Sequence, residues 1–416
     1  MRVILVECGS PNELSRLPEL VALSETLGYE VAGVVKQVRK PDPVYCIGRG
    51  KARELERLVR ATGVEKVIFG NVLKPSQAFK LESLLGVDVI DRLQLILEIF
   101  AMRAGTMEAK LQVEYAKLKY ELPRVRELIR RLKSAEQPGL RGSGEYEVNI
   151  HYDAIKRRMN SLRRKLVSIA KSRKQRRKRR RRKGFNLVAL AGYTNAGKST
   201  LLNALTSANV AVDNMLFTTL SPKTRTINGD GPKKVLLTDT VGFISGLPPW
   251  LVEAFKATLE EIYLADLVLL LVDVSEPLPE LLMKLQTSRE VLREYQVPVV
   301  TVLNKIDLIS KKELGRRIGI LRTITPEIIP ISAAKGINLD KLLRLIRSRL
   351  FKKVQIELPP NRHVEIQKIL HELHKETAVE GVKFGDQFKI TFWTDERTLN
   401  RLRKLMDDSV RIEISG

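Results

Sequence analysis

The sequence predicts an α/β fold: a doubly wound, mostly parallel sheet carrying a phosphate-binding loop, preceded by a small α/β domain with an antiparallel helical hairpin and followed by a small α+β domain. Three observations predict it. Residues 192–199, GYTNAGKS, match G-x-x-x-x-G-K-[ST] in full, with an apolar run before them and helical spacing after. Short apolar runs alternate with helical patterns both before residue 91 and after residue 184. Between those blocks lie two heptad seams joined by a glycine-rich segment. At 416 residues the chain exceeds one ordinary core. Four domains are expected, over residues 1–92, 93–183, 184–350 and 351–416.

In the first domain, apolar residues at 3–6, 31–35, 67–69 and 87–90 read as strands, and 14–27, 55–59 and 79–85 as helices. Gly48, Arg49, Gly50 and Lys51 open one helix. They read first as a capping turn and second as a phosphate or RNA contact. Cys8 and Cys46 are the only cysteines, so neither a disulfide framework nor a cysteine-rich metal site is expected, and a reducing cytoplasm is the expected location. The N-terminus lacks the pattern of a signal peptide, and the purest apolar run, residues 267–272, is far too short to span a bilayer, so no membrane is expected.

The hairpin is read from Leu111, Tyr115, Leu118, Leu122, Val125, Ile129 and Leu132 on one helix, with Pro123 expected to kink it near Tyr120 to Leu122. Tyr152, Ile155, Met159, Leu162, Leu166 and Ile169 line the other. The tip is placed at residues 137–147, QPGLRGSGEYE. The second helix then becomes cationic: 17 Lys or Arg against one acid between residues 151 and 183 account for +16 of the net charge of +25. A solvated face normally mixes signs. This one does not, so nucleic-acid phosphate is the expected partner, and the scarcity of aromatics argues against base stacking. A plain linker or an import signal would be the bland alternatives.

In the third domain, strands are expected at residues 187–190, 235–237, 267–272, 299–303 and 328–331. The phosphate loop comprises Gly192, Tyr193, Thr194, Asn195, Ala196, Gly197, Lys198, Ser199 and Thr200. Glycines let successive N–H groups turn toward phosphates, Lys198 reaches the outer phosphates, and Ser199 offers a hydroxyl to Mg2+. Downstream, Phe217, Thr218 and Thr219 lie in a candidate switch, with Thr219 a ligand for Mg2+. Asp239, Thr240, Val241 and Gly242 follow a strand, with Asp239 holding the metal through water and the Gly242 N–H meeting the γ-phosphate. Asn304, Lys305 and Asp307 come next; a carboxylate at Asp307 pairs with two guanine hydrogens that adenine lacks. Ser332, Ala333 and Ala334 close the series, where a backbone N–H meets guanine O6.

Each short motif alone also fits a turn or a helix cap. Their order and spacing point to a Mg2+-dependent P-loop GTPase domain converting GTP to GDP and phosphate, with Lys198, Thr219 and Gly242 as its catalytic groups. The residue after Gly242 is Phe243, which cannot orient water by hydrogen bonding, so hydrolysis is expected to be slow without a partner. The tail reads as strand, helix, strand, helix, strand over residues 354–358, 364–373, 388–392, 397–406 and 410–414. His363, His371 and His374 there lack the further ligands of a metal site.

Residues 45–51, 95–124, 139–145, the basic helix, GYTNAGKST, LFTTL, DTVGF and NKID together resemble the HflX-type GTPases of the translation-factor-related class. That resemblance covers nearly the whole chain. It implies a factor that binds the large ribosomal subunit in a nucleotide-dependent way, brings its hairpin to ribosomal RNA near the peptidyl-transferase region, and helps split or rescue ribosomes. The apolar residue at Phe243 is typical of the family, whereas Ser143, where a proline is usual, and Tyr146 depart from it. A monomer is expected. The rival readings are an RNA-remodelling GTPase acting off the ribosome and a signalling switch bound to a protein partner.

Overall fold

The computed structural model describes all residues except 12–14, 136–142, 183–184, 207–222, 229–234, 241, 245–247, 249, 252–261, 294–296, 359–369, 371–372, 374–376, 384–387, 406–410 and 416. Its chain divides into two compact units, one holding Met1–Ser172 and the other most of the remainder.

The first unit is built on four parallel strands, β1 (Arg2–Gly9), β2 (Glu30–Val38), β3 (Lys66–Phe69) and β4 (Asp88–Asp91), in the order β2-β1-β3-β4. Helices α1 (Leu17–Thr26), α2 (Arg49–Thr62) and α3 (Pro75–Leu85) connect them. Strand β1 is buried from Val3 through Cys8, as expected for a central parallel strand covered on both faces. A fourth helix, α4 (Arg92–Arg103), lies beyond the boundary expected after residue 92, yet buries Leu93, Leu95, Ile96, Leu97, Ile99 and Phe100. The Asp91 side chain accepts from the Leu93 and Gln94 N–H groups, so the last residue of β4 caps the helix and leaves no linker between them. Cys8 and Cys46 are both buried and not joined in a disulfide, and burial, with Cys8 and Asp42 nearby, pushes the Cys46 thiol up to about 12.

Helices α5 (Met107–Ala135) and α6 (Ser143–Arg182) form the hairpin arms. Glu114 Oε1 accepts from Arg158 Nε at 2.6 Å, and Glu121 Oε1 lies 3.4 Å from His151 Nε2. Seven residues forward on α5 thus correspond to seven backward on α6, an antiparallel register. Leu111, Val125, Ile155 and Leu162, all seam residues, are buried. The tip expected over residues 137–147 is shorter than read: Ser143 onward is helix, because one serine and one glycine cannot stop a helix that the following residues favour. Helix α5 runs through Pro123 without a break, and Arg124 of the same turn donates to Gln94 and Glu82.

The second unit carries a six-stranded sheet in the order β10-β9-β8-β5-β7-β6. Its strands are β5 (Asn186–Gly192), β6 (Lys223–Thr226), β7 (Val235–Asp239), β8 (Leu267–Asp273), β9 (Val299–Asn304) and β10 (Ile328–Pro330). All neighbours are parallel except β6, an edge strand antiparallel to β7. The polar run KTRT carries no strand signal in sequence; it is the edge strand, half-buried to exposed, and among the described residues pairs on one side only. Helices α7 (Lys198–Leu205), α8 (Leu278–Arg293), α9 (Lys311–Leu321) and α10 (Leu339–Leu350) accompany the sheet, whose two faces bury separate apolar clusters.

A second, four-stranded antiparallel sheet follows: β11 (Lys352–Leu358), β12 (Ala378–Lys383), β13 (Phe388–Thr394) and β14 (Arg411–Ser415), in the order β12-β13-β11-β14, with α11 (Glu396–Leu405). Strand β12 corrects the five-element pattern read from sequence. It is an edge strand with a register shift between Val379 and Gly381, which breaks the alternation that would have revealed it. His363, His371 and His374 lie outside the described residues. Among the described residues no cluster of three or more His, Cys, Asp or Glu could hold a metal, and no helix is long and apolar enough to cross a membrane.

Candidate nucleotide site

Strand β5 ends at Gly192, and α7 begins at Lys198, so the loop between them lies at the carboxyl end of a central strand. Two of its backbone positions demand glycine, as does one in the segment after β7 that faces it. Gly192 has φ 140° and a Cβ there would stand 2.3 Å from the Leu271 carbonyl oxygen; Gly197 has φ 90° and a Cβ there would stand 2.2 Å from Asn304 Nδ2. At Gly242 a Cβ would meet Thr194 Cγ2 at 2.8 Å and Lys198 Nζ at 2.9 Å. Asn195, at φ 64°, takes the left-handed turn that asparagine tolerates.

Lys198 is buried and donates to the carbonyls of Gly192 at 3.1 Å and Tyr193 at 2.8 Å. Burial pushes its ammonium down to about 8, against the pull of the Asp239 carboxylate. Ser199 Oγ donates to Asp239 Oδ2 at 2.7 Å, and Thr240 Oγ1 donates to the Leu190 carbonyl at 2.7 Å. One hydroxyl and one carboxylate, both buried and 2.7 Å apart, are hard oxygen donors of the kind Mg2+ accepts alongside phosphate and water. Phe217, Thr218, Thr219 and Val241 lie outside the described residues.

Asn304 joins three of the expected motifs. It is 3% exposed; its Nδ2 donates to the Ala196 carbonyl at 2.9 Å, and its Oδ1 accepts from the Ala333 N–H at 3.0 Å. The phosphate loop, the Asn304–Asp307 segment and the Ser332–Ala334 turn are therefore pinned to one amide. Ser332 and Ala333 are buried, whereas Ala334 and Asp307 are exposed, with Asp307 on a short 3₁₀ turn over Ile306–Leu308. Thr200 follows Ser199 on α7.

Two residues at the site carry more structure than their sequence motifs revealed. Asp273, the last residue of β8, holds Lys305 Nζ at 2.6 Å while its other oxygen accepts from the Ser275 N–H and hydroxyl. Its signal in sequence is an acid directly ending a run of buried leucines and valines. Phe243 is the second. Its backbone is bridged to the loop, donating to the Gly192 carbonyl and accepting from the Thr194 N–H, while its ring meets Tyr193 edge-on at 6.5 Å within an apolar cluster. The side chain faces the core and does not stand ready to position water.

Family models match three parts of the chain: a "GTP-binding GTPase N-terminal" model over residues 15–101, a "GTP-binding GTPase Middle Region" over 103–180, and a "50S ribosome-binding GTPase" over 187–305. Among curated relatives, GTPase HflX of Thermococcus kodakarensis is 41% identical, covering 100% of this chain and 97% of its own length. That of Methanocaldococcus jannaschii is 38% identical over 98% of this chain and all of its own. A solved structure titled "crystal structure of SsGBP and GDP complex" superposes with a TM-score of 0.52 at 30% identity, covering 84% of this chain and 98% of that one. The loop, its glycines and the asparagine that pins them, set on this sheet, define a P-loop GTPase. The chain belongs to the HflX GTPase family, and it binds and hydrolyses GTP.

Proposed function

We propose that this GTPase is Mg2+-dependent, binds the large ribosomal subunit according to nucleotide state, and helps split or rescue ribosomes. The observation that carries the reading is α6: a single 40-residue helix whose C-terminal half bears almost unopposed positive charge and ends four residues before β5, the strand that delivers the phosphate loop. The family-model description naming 50S binding supports the same partner. Contact is to ribosomal RNA phosphates, through the hairpin and the basic helix.

In this reading Lys198 and the loop N–H groups from Asn195 to Thr200 neutralise the phosphates. Ser199, Thr219 and Asp239 would hold Mg2+, which would supply positive charge to offset that of the phosphates. Thr219 and the Gly242 N–H sense the γ-phosphate, with Thr218, Phe217, Thr240 and Val241 shaping the two segments that respond to it. Asp307 selects guanine, the Ala334 N–H meets its O6 while that of Ala333 stays on Asn304, and Lys305, Ser332 and Ala333 frame the base. Because Phe243 is packed inward, the water is positioned by a group from the bound partner, and hydrolysis is slow without it.

Co-sedimentation with purified large and small ribosomal subunits tests this. Binding to large subunits should be strong with a non-hydrolysable GTP analogue and weak with GDP, and should fall steeply with salt. Binding that ignores the nucleotide, or that fails at low salt, refutes the proposal.

A further inference from the structure

Helix α2 of the first unit presents a row of cations that the nucleotide site and the hairpin do not use. Its buried side consists of Ala52, Leu55 and Val59, at the spacing of one helical face. Arg49, Arg53 and Arg57 repeat every fourth residue on another face, all exposed, and span about 12 Å along the axis. The helix has two acids, and each is engaged by another cation: Glu54 by Lys51 at 2.9 Å and Glu56 by Arg60 at 2.7 Å. Among the described residues Arg49, Arg53 and Arg57 make no hydrogen bond or ion pair.

A fourth guanidinium heads the row. Arg39, at the end of β2, places Nη1 over Gly48, where a Cβ would stand only 2.5 Å away. The glycine before α2 thereby makes room for the arginine, a role that a simple capping turn does not require. Arg39 Nη2 stands 4.0 Å from Asp42 Oδ2, at the outer limit of an ion pair, and the two acids of α2 are engaged by Lys51 and Arg60; three guanidiniums spaced along α2 with this fourth near its start suit a repeating anion better than a single one. The row lacks aromatic residues on which bases could stack, so what it fits is a phosphate backbone.

We infer that the Arg39, Arg49, Arg53 and Arg57 face is a second RNA-binding surface, separate from the hairpin, that tracks the phosphate backbone of structured RNA. It rests on the proposal that ribosomal RNA is the partner. It adds affinity and register on RNA without sequence selection.

The test compares three variants of the full-length protein with wild type by filter binding to a 30-base-pair RNA duplex and to purified large subunits. In Arg49→Gln/Arg53→Gln/Arg57→Gln, affinity for both should fall about 10- to 100-fold at 0.1 M salt. The slope of log K against log salt should drop by about 2 to 3, from roughly 0.7–0.9 per lost phosphate contact. The Arg49→Lys/Arg53→Lys/Arg57→Lys variant keeps the charge and should bind within about threefold of wild type. Lys51→Gln/Arg60→Gln removes cations already paired and should cost less per charge. Thermal melts confirm that all three are folded. Wild-type affinity and slope in the glutamine triple variant overturn the inference, as does an equal loss per charge in the paired control, which would reduce the effect to net charge. Binding to anionic phospholipid vesicles in place of RNA also overturns it. Absence of wild-type binding to either RNA probe would instead remove the ribosomal reading on which it rests.

Discussion

Replacing Asp273 by Asn should loosen guanine nucleotide without unfolding the protein. Lys305 sits at φ 66°, a left-handed conformation that costs a lysine about 1–2 kcal/mol. Its ammonium, a quarter exposed, is held 2.6 Å from the nearly buried Asp273 carboxylate. That carboxylate cannot swing away, because Ser275 donates to its other oxygen at 2.9 Å from N–H and 2.5 Å from the hydroxyl. The two strands are also tied here, with the Val274 N–H donating to the Asn304 carbonyl at 3.0 Å. A hydrogen bond to a charged group contributes about 1.5–3 kcal/mol, and discounting for the exposure of Lys305 leaves about 1–2 kcal/mol. If that clamp holds the segment that meets the base, GDP should dissociate about 5- to 30-fold more readily from Asp273→Asn. Stopped-flow release of a fluorescent GDP measures this. Lys305→Ala alone should weaken binding comparably, and the double variant should add little to either single change. Release within twofold of wild type, or fully additive effects, would show that the pair does not position the site.

Four further outcomes follow from the same geometry. Gly197→Ala drives a methyl into Asn304 at a φ of 90°, breaking the amide's bonds to Ala196 and Ala333. About 3–5 kcal/mol of strain and lost hydrogen bonds should lower GDP affinity more than a hundredfold by titration calorimetry, and near-normal binding would refute the pinning role. Phe243→Gln should not accelerate hydrolysis, because the position faces the core; loss of the buried ring should cost about 3 kcal/mol in denaturant unfolding, and a faster GTPase would contradict this orientation. Since burial lowers Lys198 to about 8 and phosphate favours its charged form, nucleotide affinity should be flat below pH 8 and fall up to about tenfold per pH unit above it, with proton uptake on binding; a flat profile to pH 10 would remove Lys198 from the phosphates. Asp307→Asn should shift preference from GTP toward xanthosine triphosphate in competition binding, and unchanged selectivity would count against its role.

Legibility in the sequence followed the range of the interactions. The inner strands β1 and β8 were readable because each is a short, continuous apolar run buried on two faces, and the hairpin because its seams repeat over several heptads. Strands β6 and β12 were not, being edge strands with polar residues or a register shift and no second face to bury. Helix α4 was read past because its apolar residues run continuously, and only the structure shows that they pack against α5, α1 and the β3–β4 side of the sheet.

The sequence by itself determined the phosphate loop, the order of the nucleotide motifs and the concentration of charge on α6, since these depend on residue types at short, fixed spacing. Only the tertiary structure decided that Asn304 joins Ala196 to Ala333, that Asp273 clamps Lys305, and that the Phe243 ring turns into the core. Those residues come from different strands of one sheet and its flanking loops. Parallel strands bring their carboxyl ends to a single edge across tens to more than a hundred positions of chain, and no local pattern records which side chains will meet there.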